Sequence, residues 1–193
     1  MKKYLALFDL DGTLFDTGEV NYISYQKTLK LYGINLDKEY FIRHCNGRHY
    51  TEFLPEIMGT DEHIEEVHRI KKNSYKSYLG FARENEHLFN IIEVLQDKYY
   101  TAVVTTASRE NTEDILRYFN RLKLFDDLIT YEDVTKTKPD PQGFRIAMER
   151  FSISSDKTMI FEDSDVGIKA AKASCATVFT VSQLGVKVVT DGK

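Results

Sequence analysis

The 193-residue sequence predicts an α/β protein: a parallel sheet flanked by helices, with an all-helical stretch inserted after the first strand. Three observations carry that prediction. The run Tyr4–Phe8 is rich in strand formers and free of breakers, as a central strand buried on both faces requires. Residues 17–80 contain helical periodicity and no convincing strand. From Leu88 onward, short apolar runs alternate with amphipathic helical segments, which implies right-handed crossovers between parallel strands.

Taken in order, Tyr4–Phe8 leads into Asp9-Leu10-Asp11-Gly12, where Gly12 permits a tight exit that a side chain would forbid. Val20 to Tyr32 reads as a helix stopped by Gly33, and Asp37 caps a second that runs to about Cys45. Tyr50–Met58 and Glu62–Tyr78 read as two more, with Pro55 marking a kink or boundary in the former. Leu88–Asp97 is helical and Thr101–Thr105 a buried strand. Arg109–Phe119 is helical, with a short strand at Leu128–Thr130. Gln142–Phe151 leads to the strand Thr158–Phe161, and Gly167–Ala173 to a last strand, Ala176–Phe179. The expected domains are therefore a core of residues 1–16 plus 81–193 and a helical insert of residues 17–80. Nothing after Ser182 is informative.

Composition excludes some function classes. Lys and Arg number 26 against 30 Asp and Glu, a formal charge of −4, which argues against broad binding of a nucleic-acid polymer. No stretch approaches the roughly 20 apolar residues that span a bilayer, and Asp9 and Asp11 interrupt the first apolar run too early for a secretory signal. The expectation is a cytoplasmic protein without a membrane partner. Cys45 and Cys175 lack metal-ligand spacing and are expected to be reduced, semi-buried thiols, with one disulfide left open. Twelve Tyr and twelve Phe without any Trp give an aromatic interior that names no function.

The polar residues of interest all follow predicted strands. The first delivers Asp9 and Asp11, the next Thr105 and Thr106, the loop after Thr130 brings Lys138, and the strand ending at Phe161 delivers Glu162, Asp163, Ser164 and Asp165. Parallel sheets place ligands outside the carboxyl ends of their strands. Singly, each residue could be a strand end, a solvated loop or a helix cap. Jointly they suit phosphoryl transfer, since a phosphate needs positive charge and several hydrogen-bond donors. Asp9 can attack phosphorus, and Asp11 can protonate the leaving oxygen and later activate water. Mg²⁺ prefers hard oxygen ligands, which Asp9, Asp163 and a backbone carbonyl supply. Lys138 would offset carboxylate repulsion and hold the phosphoryl group, and Thr105 would donate to it. There is no Gly-rich loop followed by Lys-Ser or Lys-Thr, which disfavours nucleoside triphosphate binding of the usual kind.

These segments resemble the motifs of the haloacid dehalogenase-like superfamily, in its helical-cap subfamily. Phe8-Asp9-Leu10-Asp11-Gly12-Thr13-Leu14 matches the first motif, Val103-Val104-Thr105 resembles the second, and Lys138-Pro139-Asp140-Pro141 the third. Ile160-Phe161-Glu162-Asp163-Ser164 followed by Gly167-Ile168-Lys169-Ala170-Ala171 resembles the fourth. The resemblance implies a Rossmann-like core with a helical cap, a phosphatase of small phosphorylated metabolites, and Mg²⁺ as cofactor. It implies Asp9 as nucleophile, Asp11 as general acid and base, and Thr105 and Lys138 as phosphate binders. The implied Mg²⁺ ligands are Asp9, Asp163 and the Asp11 carbonyl, with Glu162 a ligand or a partner of the ligands. The second acid, Asp11, separates phosphoryl-transfer members from dehalogenases.

Beta-phosphoglucomutases, the runner-up, carry a His where Asn21 stands and a Lys-Gly cap loop where this chain has Cys45-Asn46-Gly47-Arg48-His49. Both departures weaken the mutase reading. A low-turnover phosphometabolite sensor is the alternative of a different class. Thr106, Asn21, Asn46 and Arg48 are the expected substrate contacts. Arg43 and Arg48 could grip a second anionic group, with a solvated face an equal reading for both, and His49 reads more as a surface residue than as a contact. Gly80–Glu84 lacks the Pro-Gly common where the cap returns to the core.

Overall fold

The computed structural model describes residues 2–46, 48 and 50–182. In chain order its regular elements are β1 (Tyr4–Phe8), β2 (Phe15–Asp16), α1 (Gly18–Lys30), α2 (Lys38–His44), α3 (Tyr50–Met58), α4 (Ile64–Ser74), β3 (Arg83–Glu84) and α5 (Glu86–Leu95). There follow β4 (Tyr99–Val104), α6 (Arg109–Tyr118), β5 (Asp127–Ile129), α7 (Gln142–Phe151), β6 (Thr158–Glu162), α8 (Asp165–Ala173) and β7 (Thr177–Thr180). The chain divides into two compact units, residues 1–16 with 83–193 and residues 17–82.

The first unit is built on a five-stranded sheet of order β5-β4-β1-β6-β7, every pair parallel. β1 is central because residues 5–8 are wholly apolar and can be covered on both faces; all four are fully buried. Leu5 and Leu7 share one face with Val104, Ile129 and Ile160, packed against Phe144, Ala147 and Met148 of α7 and Ala170 and Ala171 of α8. The aromatic rings of Phe8, Phe161 and Phe179 stack in sequence across β1, β6 and β7, at 4.8 and 5.0 Å. Phe15 is fully buried between Phe89 of α5 and Phe119, which follows α6.

The sequence does not announce β2 and β3. They form a two-stranded antiparallel ribbon, Phe15 opposite Glu84 and Asp16 opposite Arg83, closed by an Arg83–Asp16 ion pair at 2.9 Å. Two residues per strand are too few for a periodic pattern to show. Several helix starts also shift. α5 begins at Glu86 because Asn85 accepts from Leu88 N–H, and α8 begins at Asp165 because Ser164 accepts from Gly167 N–H. The expected helix Glu62–Tyr78 is α4 followed by a 3₁₀ turn over Tyr75–Phe81. Pro55 lies inside α3, not at its boundary.

The second unit packs α1–α4 around Tyr22, Tyr25, Leu29, Phe41, Phe53, Leu54 and Val67. Tyr25 and Phe53 meet edge to face at 5.1 Å, so the aromatic richness of this segment serves helix packing. Cys45, buried here, and Cys175, exposed in the first unit, are both free thiols. No helix among the described residues is long and apolar enough to cross a membrane.

Candidate active site

β4, β1 and β6 are neighbours, so the residues that follow them emerge side by side at one edge of the sheet. Asp9 leaves β1 with its N–H bonded to the Phe161 carbonyl at 3.0 Å, and its residue is 7% exposed. Glu162 ends β6 and is fully buried. Lys138 reaches both: its Nζ donates to Asp9 Oδ1 at 2.6 Å, to Glu162 Oε1 at 2.5 Å and to the Val104 carbonyl at 3.0 Å. One ammonium thus faces two carboxylates, with the Asp163 carboxylate close by. Oxygen atoms of Asp9, Glu162 and Asp163 lie within 4.8 Å of one another, and this is the group among the described residues that can share a cation. The carboxylate of Asp11, a partly buried residue of the turn after β1, is not in that group.

The electrostatics follow from burying more negative than positive charge. Burial pushes the Asp9 carboxyl up to about 8; Lys138 opposes the shift, and Glu162 and Asp11 add to it. Burial works against the charge on Lys138, but Asp9 and Glu162 together raise its affinity for the proton. Asp163 is raised by burial, against the pull of a hydrogen bond from Thr13. A divalent cation would remove this excess of negative charge. The hard carboxylate donors fit one such as Mg²⁺.

Both oxygens of Glu162 carry hydrogen bonds. Oε1 takes Lys138, and Oε2 accepts from the N–H of Asp163 and of Ser164 and from the Ser164 hydroxyl, at 2.9 to 3.1 Å. Gly167 lies so close that a Cβ built on it would overlap the Glu162 carboxylate. Gly12, at φ +92°, stands in the same relation to Asp163. Sequence reasoning gave Thr13, Ser164 and Gly167 no individual role. All three lie within the quoted motifs, but only the fold shows which carboxylate each one meets.

Thr105 is buried, and its hydroxyl accepts from Ala107 N–H at 3.0 Å, so its own O–H is what it can offer a ligand. Thr106 is exposed. Both line a small pocket together with Lys138, Val104, Ile129 and Phe144. The other expected contacts belong to the helical unit. Asn21 Oδ1 accepts from Lys71 Nζ at 2.7 Å. Asn46 is exposed. Arg48 is committed to Glu56 at 2.9 Å, Glu52 at 3.4 Å and the His44 carbonyl at 2.7 Å, and Arg43 pairs with Glu39. Gly47 and His49 lie outside the described residues. Lys71, buried against the rings of Tyr25 and Tyr75, was not singled out from the sequence.

A parallel sheet bearing this cluster at its edge is an α/β protein with a site suited to phosphoryl transfer, and comparison with known proteins gives its family. The profile of haloacid dehalogenase-like hydrolases matches residues 6–181. The chain belongs to that family, and it is an enzyme of its phosphoric monoester hydrolase class. It is similar to the pyrophosphatase PpaX of Oceanobacillus iheyensis, 28% identical over 82% of this chain and 73% of the relative. It is also similar to a phosphorylated carbohydrates phosphatase of Thermotoga maritima, 27% identical over 88% of this chain and 80% of the relative. The structure of CbbY from Rhodobacter sphaeroides in complex with phosphate shares the fold, with a TM-score of 0.82 and 22% identity over 94% of this chain and 87% of that one.

Proposed function

We propose that the protein is a Mg²⁺-dependent phosphatase that hydrolyses a small phosphate monoester through an aspartyl-phosphate on Asp9. The observation that carries this reading is Lys138 held between Asp9 and Glu162 in a buried, net negative cluster. In the first step an Asp9 carboxylate oxygen attacks phosphorus and the ester P–O bond breaks. Asp11 gives its proton to the departing oxygen. In the second, Asp11 takes a proton from water, the water oxygen attacks the phosphorus of the acyl phosphate, and the phosphorus–Asp9 bond breaks to release phosphate. Lys138 and the Thr105 hydroxyl hold the phosphoryl oxygens through both steps.

Asp9, Asp163 and the Asp11 carbonyl would hold the cation, which supplies positive charge against the phosphoryl oxygens. Glu162 holds Lys138 beside Asp9 and is a ligand of the cation or a partner of its ligands. The candidate substrate contacts are Thr106 of the sheet unit and Asn21, Asn46 and Arg48 of the helical unit. The names of the two relatives favour a phosphorylated sugar or pyrophosphate as the first compounds to try.

The test is phosphate release with Mg²⁺ across sugar phosphates, nucleoside monophosphates, phosphoglycolate and pyrophosphate. Asp9→Asn is expected to lower turnover about a thousandfold or more while leaving the circular dichroism spectrum unchanged. Undiminished turnover in that variant would reject the mechanism. Isomerised sugar phosphate with little free phosphate would favour the mutase alternative.

A further inference from the structure

We propose that Thr13 and Asn85 form a strut that orients Asp163 and so sets the affinity of the site for its divalent cation. The inference rests on the reading of Asp163 as a cation ligand. Thr13 is fully buried and donates its hydroxyl to Asp163 Oδ1 at 2.9 Å. That bond fixes the orientation of the carboxylate through Oδ1. The glycine backbone at position 12 comes so close to the same carboxylate, nearest Oδ2, that no side chain fits between them. The carboxylate is therefore held by a neighbour on each of two consecutive residues of the turn after β1.

The turn is itself held from behind. Asn85 is 8% exposed, and its Nδ2 donates to the Thr13 carbonyl at 3.2 Å while its backbone N–H donates to the Leu14 carbonyl at 2.9 Å. Its remaining side-chain atom, Oδ1, caps α5 by accepting from Leu88 N–H at 3.2 Å. Asn85 thus uses both ends of its amide, one on a helix and one on the turn that carries Thr13. Asn85 directly follows β3, so the short ribbon and the capped helix jointly fix where Thr13 stands. Neither residue touches the reacting atoms. Both are positioning residues, and partners of this kind commonly change metal affinity by 10–100-fold when removed.

The experiment titrates Mg²⁺ alone into the purified full-length protein by calorimetry, with Mg²⁺ activation of phosphate release measured in parallel. Thr13→Val removes the hydroxyl at constant shape and is expected to weaken Mg²⁺ binding about tenfold. Turnover at saturating Mg²⁺ should fall far less than affinity, and Thr13→Ser should restore binding. Asn85→Ser keeps a capping oxygen for α5 but loses the amide donor, and is expected to weaken binding by about threefold. Circular dichroism of each apo variant checks that it is folded, and Asn85→Ser carries the test if the valine variant is not. Unchanged Mg²⁺ affinity in folded Thr13→Val, or in folded Asn85→Ser where valine does not fold, would overturn the strut, as would Thr13→Ser binding no better than a folded valine variant. Absence of Mg²⁺ binding in the unaltered protein would instead overturn the cation site itself, and equal binding by Asp163→Asn would remove Asp163 from it.

Discussion

At the scale of single residues, the cluster is governed by how few donors serve how many carboxylates. Glu162 is fully buried, which is tolerable only because Lys138, two backbone N–H groups and the Ser164 hydroxyl meet both its oxygens. Gly167 is the residue that makes room for it. In an exposed helix, Gly→Ala stabilises by up to about 1 kcal/mol. At position 167 the sign reverses, because the new methyl would overlap the Glu162 carboxylate and push it off Lys138. Gly167→Ala is expected to destabilise by about 1–3 kcal/mol, read as a lower urea midpoint, and to depress phosphate release as well. A higher midpoint would show that Glu162 can move aside at no cost.

At the scale of elements, polar side chains decide where helices start and how the ends of the sheet are tied. Asp37, Asn85, Ser108 and Ser164 each accept from a backbone N–H in the first turn of the helix that follows. Asp133 does more. Its carboxylate accepts from the Thr130 N–H and hydroxyl and pairs with Arg109 at 2.7 Å and Arg150 at 2.8 Å, tying α6 and α7 to the chain that leaves β5. Burial alone would raise this carboxyl, but the Thr130 backbone, Arg150, the Thr130 hydroxyl and Arg109 outweigh it and hold it at about 2. A carboxyl depressed in the folded state stabilises it fully above its unfolded value near 4, and that stability is lost as pH falls through about 2. Asp133→Asn should therefore cost about 2 kcal/mol at neutral pH and flatten the acid limb between pH 4 and 2. Parallel pH dependence in the two proteins would exclude Asp133 as a source of that limb.

At the scale of the whole molecule, a cation that binds only the folded protein must stabilise it. At one hundred times its dissociation constant the gain is about 2.7 kcal/mol, or roughly 5–10 °C in thermal midpoint for a chain of this size. Thermal scans at rising Mg²⁺ should show that climb, and a chelator should reverse it. A midpoint indifferent to Mg²⁺ would contradict a cation site built on Asp9 and Asp163.

The sequence by itself determined the parallel sheet, the helical stretch after β1 and the location of Asp9, Lys138, Glu162 and Asp163 at or beyond strand ends. These are encoded by local means: apolar runs, alternating helix and strand, and polar residues placed where a strand stops. It did not determine the ribbon of β2 and β3, whose two-residue strands exist only because distant segments pair. Nor could it show that Thr13 serves Asp163, that Gly167 clears space for Glu162, or that Arg48 is held by Glu52 and Glu56. Each of those depends on which atoms meet across the fold, and a hydroxyl, a missing methyl or a guanidinium carries no mark of its partner along the chain. Tertiary packing decided them, because a hydrogen bond or an overlap is a property of distance.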